Sequence, residues 1–170
     1  MKILVIGSGG REHAIVKALK ASASCSSVYC LSGNAGISKD AIIPPITENL
    51  EDVIGFCKAE AIEYVIIGPE GPLVAGYGDM LEQQGIKVLG PNVEGAKLEG
   101  SKAYMKDFCA RYNIPTAAYA CFTDAKDAKE YAAKQPYPLV IKTDGLAAGK
   151  GVVIVGNQAD AFAEIDAYMG

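Results

Sequence analysis

Short apolar runs that end in glycine recur through the first half of the chain: KILVIG at 2–7, YVIIG at 64–68 and KVLG at 87–90. Strands that are apolar throughout, rather than alternating, belong to sheets covered on both faces. Between the runs lie stretches of helical periodicity, and strand–helix alternation makes such a sheet parallel. Residues 11–20 predict a helix with Ala14, Ile15, Ala18 and Leu19 inward, and 27–31 (SVYCL) a second strand. Leu50, Val53, Ile54 and Cys57 fall on one helical face, with Thr47 as the expected cap. Residues 73–84 read as one further helix. The expectation is a doubly wound α/β unit over roughly residues 1–92.

The pattern then changes. A short helix is expected at 93–99, a longer one at 101–112 capped by Ser101, and a strand at 118–122. A helix at 124–134 capped by Thr123 follows, then strands at 139–142 and 151–155. Asn157 is placed to cap a last helix carrying Phe162, Ile165 and Met169 on one side. A two-stranded hairpin with one or two helices buries little on its own, so residues from about 120 onward read as part of a larger domain.

Composition removes several function classes. Of 170 residues half are hydrophobic and 21% charged, which suits a packed globular core. A net charge of −4 gives no footprint for nucleic acid, and no apolar run approaches the ~20 residues of a membrane span. The five cysteines (25, 30, 57, 109 and 121) form no CxxC pair. They read as reduced thiols in a cytoplasmic protein. His13 is the only imidazole, so a Ser-His or Cys-His nucleophile pair has little to recommend it, and no residue is assigned a catalytic role.

Two glycine clusters carry the functional signal. In the first, Gly7-Ser8-Gly9-Gly10 opens a helix after a strand, which aims backbone N–H groups and the positive helix end at an anion. A dinucleotide fingerprint would have Gly where Glu12 stands and an acidic residue ending the second strand, where LSGNAG follows instead. A phosphate-bearing small molecule, a dinucleotide and a purely structural turn remain as readings. Arg11, a cation in the first turn, opposes the helix dipole unless an anion binds there. Asn34 suits either a left-handed turn or a ligand contact. Glu70, in a proline-stiffened GPEGP loop, stands where a carboxylate could accept from two sugar hydroxyls. The second cluster, PLVIKTDGLAAGKGVVIV at 138–155, resembles a P-loop but has three residues between Gly145 and Gly149 and Gly151 after Lys150. A strand follows it, not a helix. A glycine-rich hairpin of this kind can fold over a triphosphate as a lid, with Lys142 below and Lys150 above.

Seven strings stand in register over the whole chain: VIGSGGREHA, GNAG, IGPEGPLVAG, LGPN, LEGSKAYMKDF, IPTA and VIKTDGLAAGKGV. Together they resemble the phosphoribosylamine–glycine ligase family (glycinamide ribonucleotide synthetases) of the ATP-grasp superfamily, with Thr143 replacing the Ala of the family's KADG. The resemblance implies a Rossmann-like, pre-ATP-grasp parallel-sheet domain over 1–100, the start of an ATP-grasp domain over 101–122, and an incomplete ATP-binding lid subdomain over 123–170. It implies ATP-dependent joining of glycine to 5-phosphoribosylamine through glycyl phosphate in purine biosynthesis. Lys102 and Lys142 look like ATP phosphate ligands, and Gly145, Gly149, Lys150 and Gly151 like the lid. Gly9, Gly10, Arg11 and Asn34 resemble the sugar-phosphate pocket, with Glu70 on the ribose. Mg²⁺ or Mn²⁺ is implied as cofactor, its ligands expected beyond Gly170; Asp144 and Glu99 have no partner set for it. The 170 residues are thus expected to be an inactive N-terminal fragment whose apolar face over 118–169 favours self-association. The alternative is a non-catalytic sugar-phosphate or nucleotide-binding module.

Overall fold

Every strand of the first half runs the same way. In the computed structural model, which describes residues 1–147 and 149–170, β1 (Lys2–Gly7) lies between β2 (Ser27–Ser32) and β3 (Tyr64–Ile67), and β4 (Lys87–Leu89) extends the sheet to give the order β2-β1-β3-β4, all parallel. The chain divides into two compact units, Met1–Lys97 and Leu98–Gly170.

In the first unit the pleat sends Leu4 and Ile6 to one face, where they meet Val53 and Cys57 of α2 (Leu50–Ala59) and Leu81 of α4 (Tyr77–Gln83). Val5 goes to the other face with Val16 of α1 (Gly10–Lys20), Cys30 and Ile37. Leu4 and Val5 are fully buried, each contributing about 1.5–3 kcal/mol on transfer from water. Burial on both faces is why these strands read as unbroken apolar runs. The chain leaves β1 to one side for β2, then returns to the other side for β3. The switch point therefore lies between β1 and β3.

Several expected details differ. The inward face of α1 is Glu12, Ile15, Val16 and Leu19, while Ala14 and Ala18 are exposed. The cap of α2 is Asn49, which accepts from the Asp52 N–H at 2.8 Å; Thr47 instead donates to the Asp52 carboxylate. The helix expected over 73–84 is two, α3 (Glu70–Val74) and α4, because Gly76 at φ +82° breaks the helical path between them. Glu70 is thus the first residue of a helix rather than part of a loop.

The division between units falls within α5 (Val93–Gly100). In the second unit α6 (Lys102–Arg111) is capped by Ser101, which accepts from the Tyr104 N–H at 3.1 Å. No strand forms at 118–122: a strand needs a ladder partner, and this segment lies along α6 instead. Lys106 Nζ donates to Thr116 Oγ1 and the Ala117 carbonyl, and the Tyr119 hydroxyl to Asp107. Helix α7 (Ala125–Ala132) is capped by Asp124, not Thr123, through the N–H groups of Lys126 and Asp127. An antiparallel hairpin, β5 (Leu139–Lys142) with β6 (Val152–Val155), packs on α7 and on α8 (Gln158–Met169), which Asn157 caps as expected. Leu139, Ile141, Val153 and Val155 face the helices, around Ala161 and Ile165. Their neighbours Val140, Val152 and Ile154 face out, and so does Met169, against expectation.

Candidate functional site

There are two candidate sites, one in each unit. The first lies at the carboxyl ends of β1 and β3, the switch point at which open α/β sheets receive their ligands. Gly7, at φ +126°, turns the chain out of β1, and Gly9 is the N-cap of α1. The Glu12 side chain folds back under this turn. Its Oε2 accepts from the Gly9 N–H at 2.6 Å, the reciprocal half of a capping box. A buried thiol, Cys30, donates to the Gly7 carbonyl at 3.3 Å, and burial pushes its pKa up to about 11.

The structure brings the candidate residues of this site to one edge. Arg11 reaches the Glu70 carboxylate at 3.7 Å, with 73% of its side chain exposed, a pairing that contributes little by itself. Asn34 does not take the left-handed conformation; Ser32 and Gly33 before it take the positive φ. Asn34 acts through its side chain, whose Oδ1 accepts from the N–H groups of Gly36 and Ile37 and whose Nδ2 donates to the Ser8 carbonyl at 2.7 Å. It thereby ties the GNAG loop to the glycine turn. His13 has a comparable task. Its Nε2 lies 3.0 Å from Asp40, and Lys20 lies 2.9 Å from the same carboxylate. The His13 contact first, then Lys20, holds the Asp40 carboxyl below its ordinary value. Gly10 stands open, with nothing within 4 Å of where a Cβ would be.

The second site is the hairpin loop of the second unit. Beyond the β5–β6 ladder the Thr143 N–H donates to the Gly151 carbonyl at 3.0 Å, and a turn joins the Lys150 N–H to the Ala147 carbonyl at 2.8 Å. Gly145 and Gly149 both sit at φ +79°, a left-handed conformation that favours glycine. Gly151 lies against Thr143 and Ala147; a Cβ there would stand 2.6 Å from the Ala147 methyl. Ala148, within the expected lid, lies outside the described residues. Lys142 ends β5 on its outward face, exposed, and Lys150 is exposed in the loop.

Lys102 is 40 residues earlier in the chain than Lys142, yet its ammonium donates to the Gly145 carbonyl at 2.7 Å. Asp144 makes the junction firm. Its carboxylate accepts from the Lys102 N–H at 2.6 Å, the Ala103 N–H at 3.3 Å and the Ser101 hydroxyl at 3.0 Å. Burial alone would raise the Asp144 carboxyl, and hydrogen bonds from Gly145, Ala103, Ser101 and Lys102 together hold it below its ordinary value. Sequence reasoning missed this clasp, as it missed the role of Glu12. For Glu12 there was a signal, a Glu three residues after a glycine N-cap; for Asp144 the pairing is too distant in sequence to read. Among the described residues no group of three or more His, Cys, Asp or Glu is placed to hold a metal ion. No helix of those residues is long and apolar enough to cross a membrane.

Comparison with known proteins covers both units. Residues 1–99 match the family model described as phosphoribosylglycinamide synthetase, N domain, and residues 100–170 the ATP-grasp (A) domain of the same synthetase. The chain is 52% identical over 167 residues to phosphoribosylamine–glycine ligase of Rhizobium meliloti (strain 1021), covering 98% of this chain and 40% of the relative. It is 51% identical over 164 residues to the chloroplastic phosphoribosylamine–glycine ligase of Arabidopsis thaliana, covering 94% and 31%. The crystal structure of phosphoribosylamine–glycine ligase from Thermotoga maritima superposes with a TM-score of 0.77 at 33% identity, over 96% of this chain and 38% of that one. The chain thus spans about two fifths of the length of such relatives.

Proposed function

We propose, from the premise that this chain belongs to the phosphoribosylglycinamide synthetase family, that it supplies the sugar-phosphate site and the ATP lid of a phosphoribosylamine–glycine ligase. In that reaction the glycine carboxylate attacks the γ-phosphorus of ATP, releasing ADP and forming glycyl phosphate. The amine of 5-phosphoribosylamine then attacks the carbonyl, and the phosphate leaves as the amide forms. Phosphoryl transfer of this kind depends on positioning and charge neutralisation. Lys102, Lys142 and Lys150, with the backbone of Gly145, Gly149 and Gly151, are the groups suited to the triphosphate. Gly10 and Arg11 suit the sugar phosphate, Gly9 shapes the turn that presents them, Glu70 suits the ribose hydroxyls, and Asn34 holds their loop in place. Mg²⁺ or Mn²⁺ would neutralise charge on the nucleotide; the described residues of this chain offer lysines rather than a metal-ligand cluster.

The observation that supports the reading is the hydrogen bond from Lys102 Nζ to the Gly145 carbonyl at 2.7 Å, which brings together two segments distant in sequence that each carry an expected phosphate ligand. Residues 1–97 form the substrate half in this proposal and 98–170 the nucleotide half. Five free thiols support a reducing, cytoplasmic setting, and the exposed Val140, Val152 and Ile154 support association of copies of this chain. Amide NMR titration with ribose 5-phosphate, ATP and NAD tests the proposal. Ribose 5-phosphate should move Gly10, Arg11 and Glu70, and Arg11→Ala should weaken it about tenfold. Displacement of those amides by NAD alone would refute it.

A further inference from the structure

Glu12 is the one buried polar or charged side chain among the described residues, with 4% of its surface exposed. Its socket is made of three glycines. A Cβ on Gly7 would stand 2.8 Å from Glu12 Cγ, one on Gly9 2.8 Å from Oε2, and one on Gly68 2.7 Å from both Cγ and Cδ. Gly7 ends β1 and Gly68 follows β3 directly. The carboxylate therefore fills the floor of the switch-point crevice, where open α/β sheets receive their ligands. Oε2 takes the Gly9 N–H at 2.6 Å, and Oε1 is buried without a hydrogen-bond partner.

A helix N-terminus attracts an anion, and here the chain furnishes its own. A diphosphate laid across the turn would meet a fixed like charge, would find the Gly9 N–H already engaged, and would lack the space that the Glu12 side chain occupies. At the rim the situation reverses: Gly10 is open and the Arg11 guanidinium is exposed. We propose that Glu12 is a specificity-determining residue, an internal anion that closes the inner crevice to diphosphates and confines a phosphate ligand to Gly10 and Arg11. The proposal rests on the reading of this edge as a sugar-phosphate site.

The test is an amide NMR titration of the whole chain with inorganic pyrophosphate and, separately, ribose 5-phosphate, for the parent protein, Glu12→Gln and Glu12→Ala. In the parent, ribose 5-phosphate moves Gly10 and Arg11, and pyrophosphate binds at least about tenfold more weakly. Glu12→Gln keeps the shape and removes the charge, so pyrophosphate affinity rises about tenfold. Glu12→Ala also empties the socket and adds a shift at Gly9. Pyrophosphate binding to Glu12→Gln no tighter than to the parent overturns the proposal, and this comparison decides it even where Glu12→Ala loses its dispersed spectrum. Failure of ribose 5-phosphate to bind the parent would refute the substrate reading instead, while a gain in pyrophosphate affinity in Glu12→Gln would still uphold the role of Glu12.

Discussion

Replacing Asp144 with alanine removes the acceptor for the Lys102 and Ala103 N–H groups at 2.6 and 3.3 Å and for the Ser101 hydroxyl. These are first-turn donors of α6, which have no intrahelical partner. Loss of a capping side chain costs about 0.5–2 kcal/mol, and hydrogen bonds to a charged group lie at the upper end. Asp144 is exposed, so solvent screening reduces the charge contribution and leaves about 1–2 kcal/mol. That corresponds to a rise of about 5–30-fold in the open population of the clasp. Amide hydrogen exchange reads it directly: Lys102, Ala103 and residues 145–147 should exchange faster by that factor, with Leu4 and Val5 unchanged. Asp144→Asn, which keeps a neutral acceptor, should fall between. The pH dependence has a fixed sign. Because the folded carboxyl is held below its ordinary value, the contribution is fully present above about pH 4. It fades as pH falls through the lowered folded value, so parent and variant should converge in acid. Unchanged exchange at Lys102 and Ala103, or equal acceleration throughout the chain, would refute the reasoning.

Gly68→Ala would drive a methyl into Glu12 Cγ and Cδ, 2.7 Å from the ideal Cβ, and should destabilise the first unit by about 1–3 kcal/mol in urea unfolding. A variant as stable as its parent would mean that the socket yields. Burial pushes the thiols of Cys30 and Cys57 up to about 11, so a disulfide reagent at neutral pH should modify exposed Cys121 first and those two only on unfolding. Modification of Cys30 in the folded protein would contradict this. Asp40, held low by His13 and Lys20, contributes stability above its ordinary pKa that is lost as pH falls through the lowered one. Asp40→Asn should therefore lower the Tm near neutrality but not in strong acid, and a difference independent of pH would argue against the assignment.

Strands and glycine turns were legible because their cause is local: β1, buried on both faces, is apolar almost throughout, and the less fully buried β3, β4 and β5 still begin and end where their short apolar runs do. Caps were less legible. Thr47 and Asn49, or Thr123 and Asp124, are equally good acceptors in sequence, and only the approach of the chain decides between them. The inward face of α1 was only half legible: Ile15 and Leu19 were expected there, but Glu12 takes a place on it because three glycines make room for its side chain. The segment 118–122 has strand composition, but pairing is a property of neighbours and the segment has none in the described ladder. At the sites, residue types pointed to phosphate chemistry. What the sequence could not express was contact across 42 residues, which joins Lys102 to Asp144.

The outward face of the β5–β6 hairpin has a thermodynamic consequence. Ile154 keeps 71% of its surface in water, Val140 53% and Val152 45%, so half or more of their combined surface is already hydrated before unfolding. The heat-capacity increment of unfolding comes from newly exposed apolar area, and denaturant m-values follow newly exposed area in general. The second unit should therefore melt with a smaller heat-capacity change per residue than the first, giving a flatter stability curve that is less sensitive to cooling.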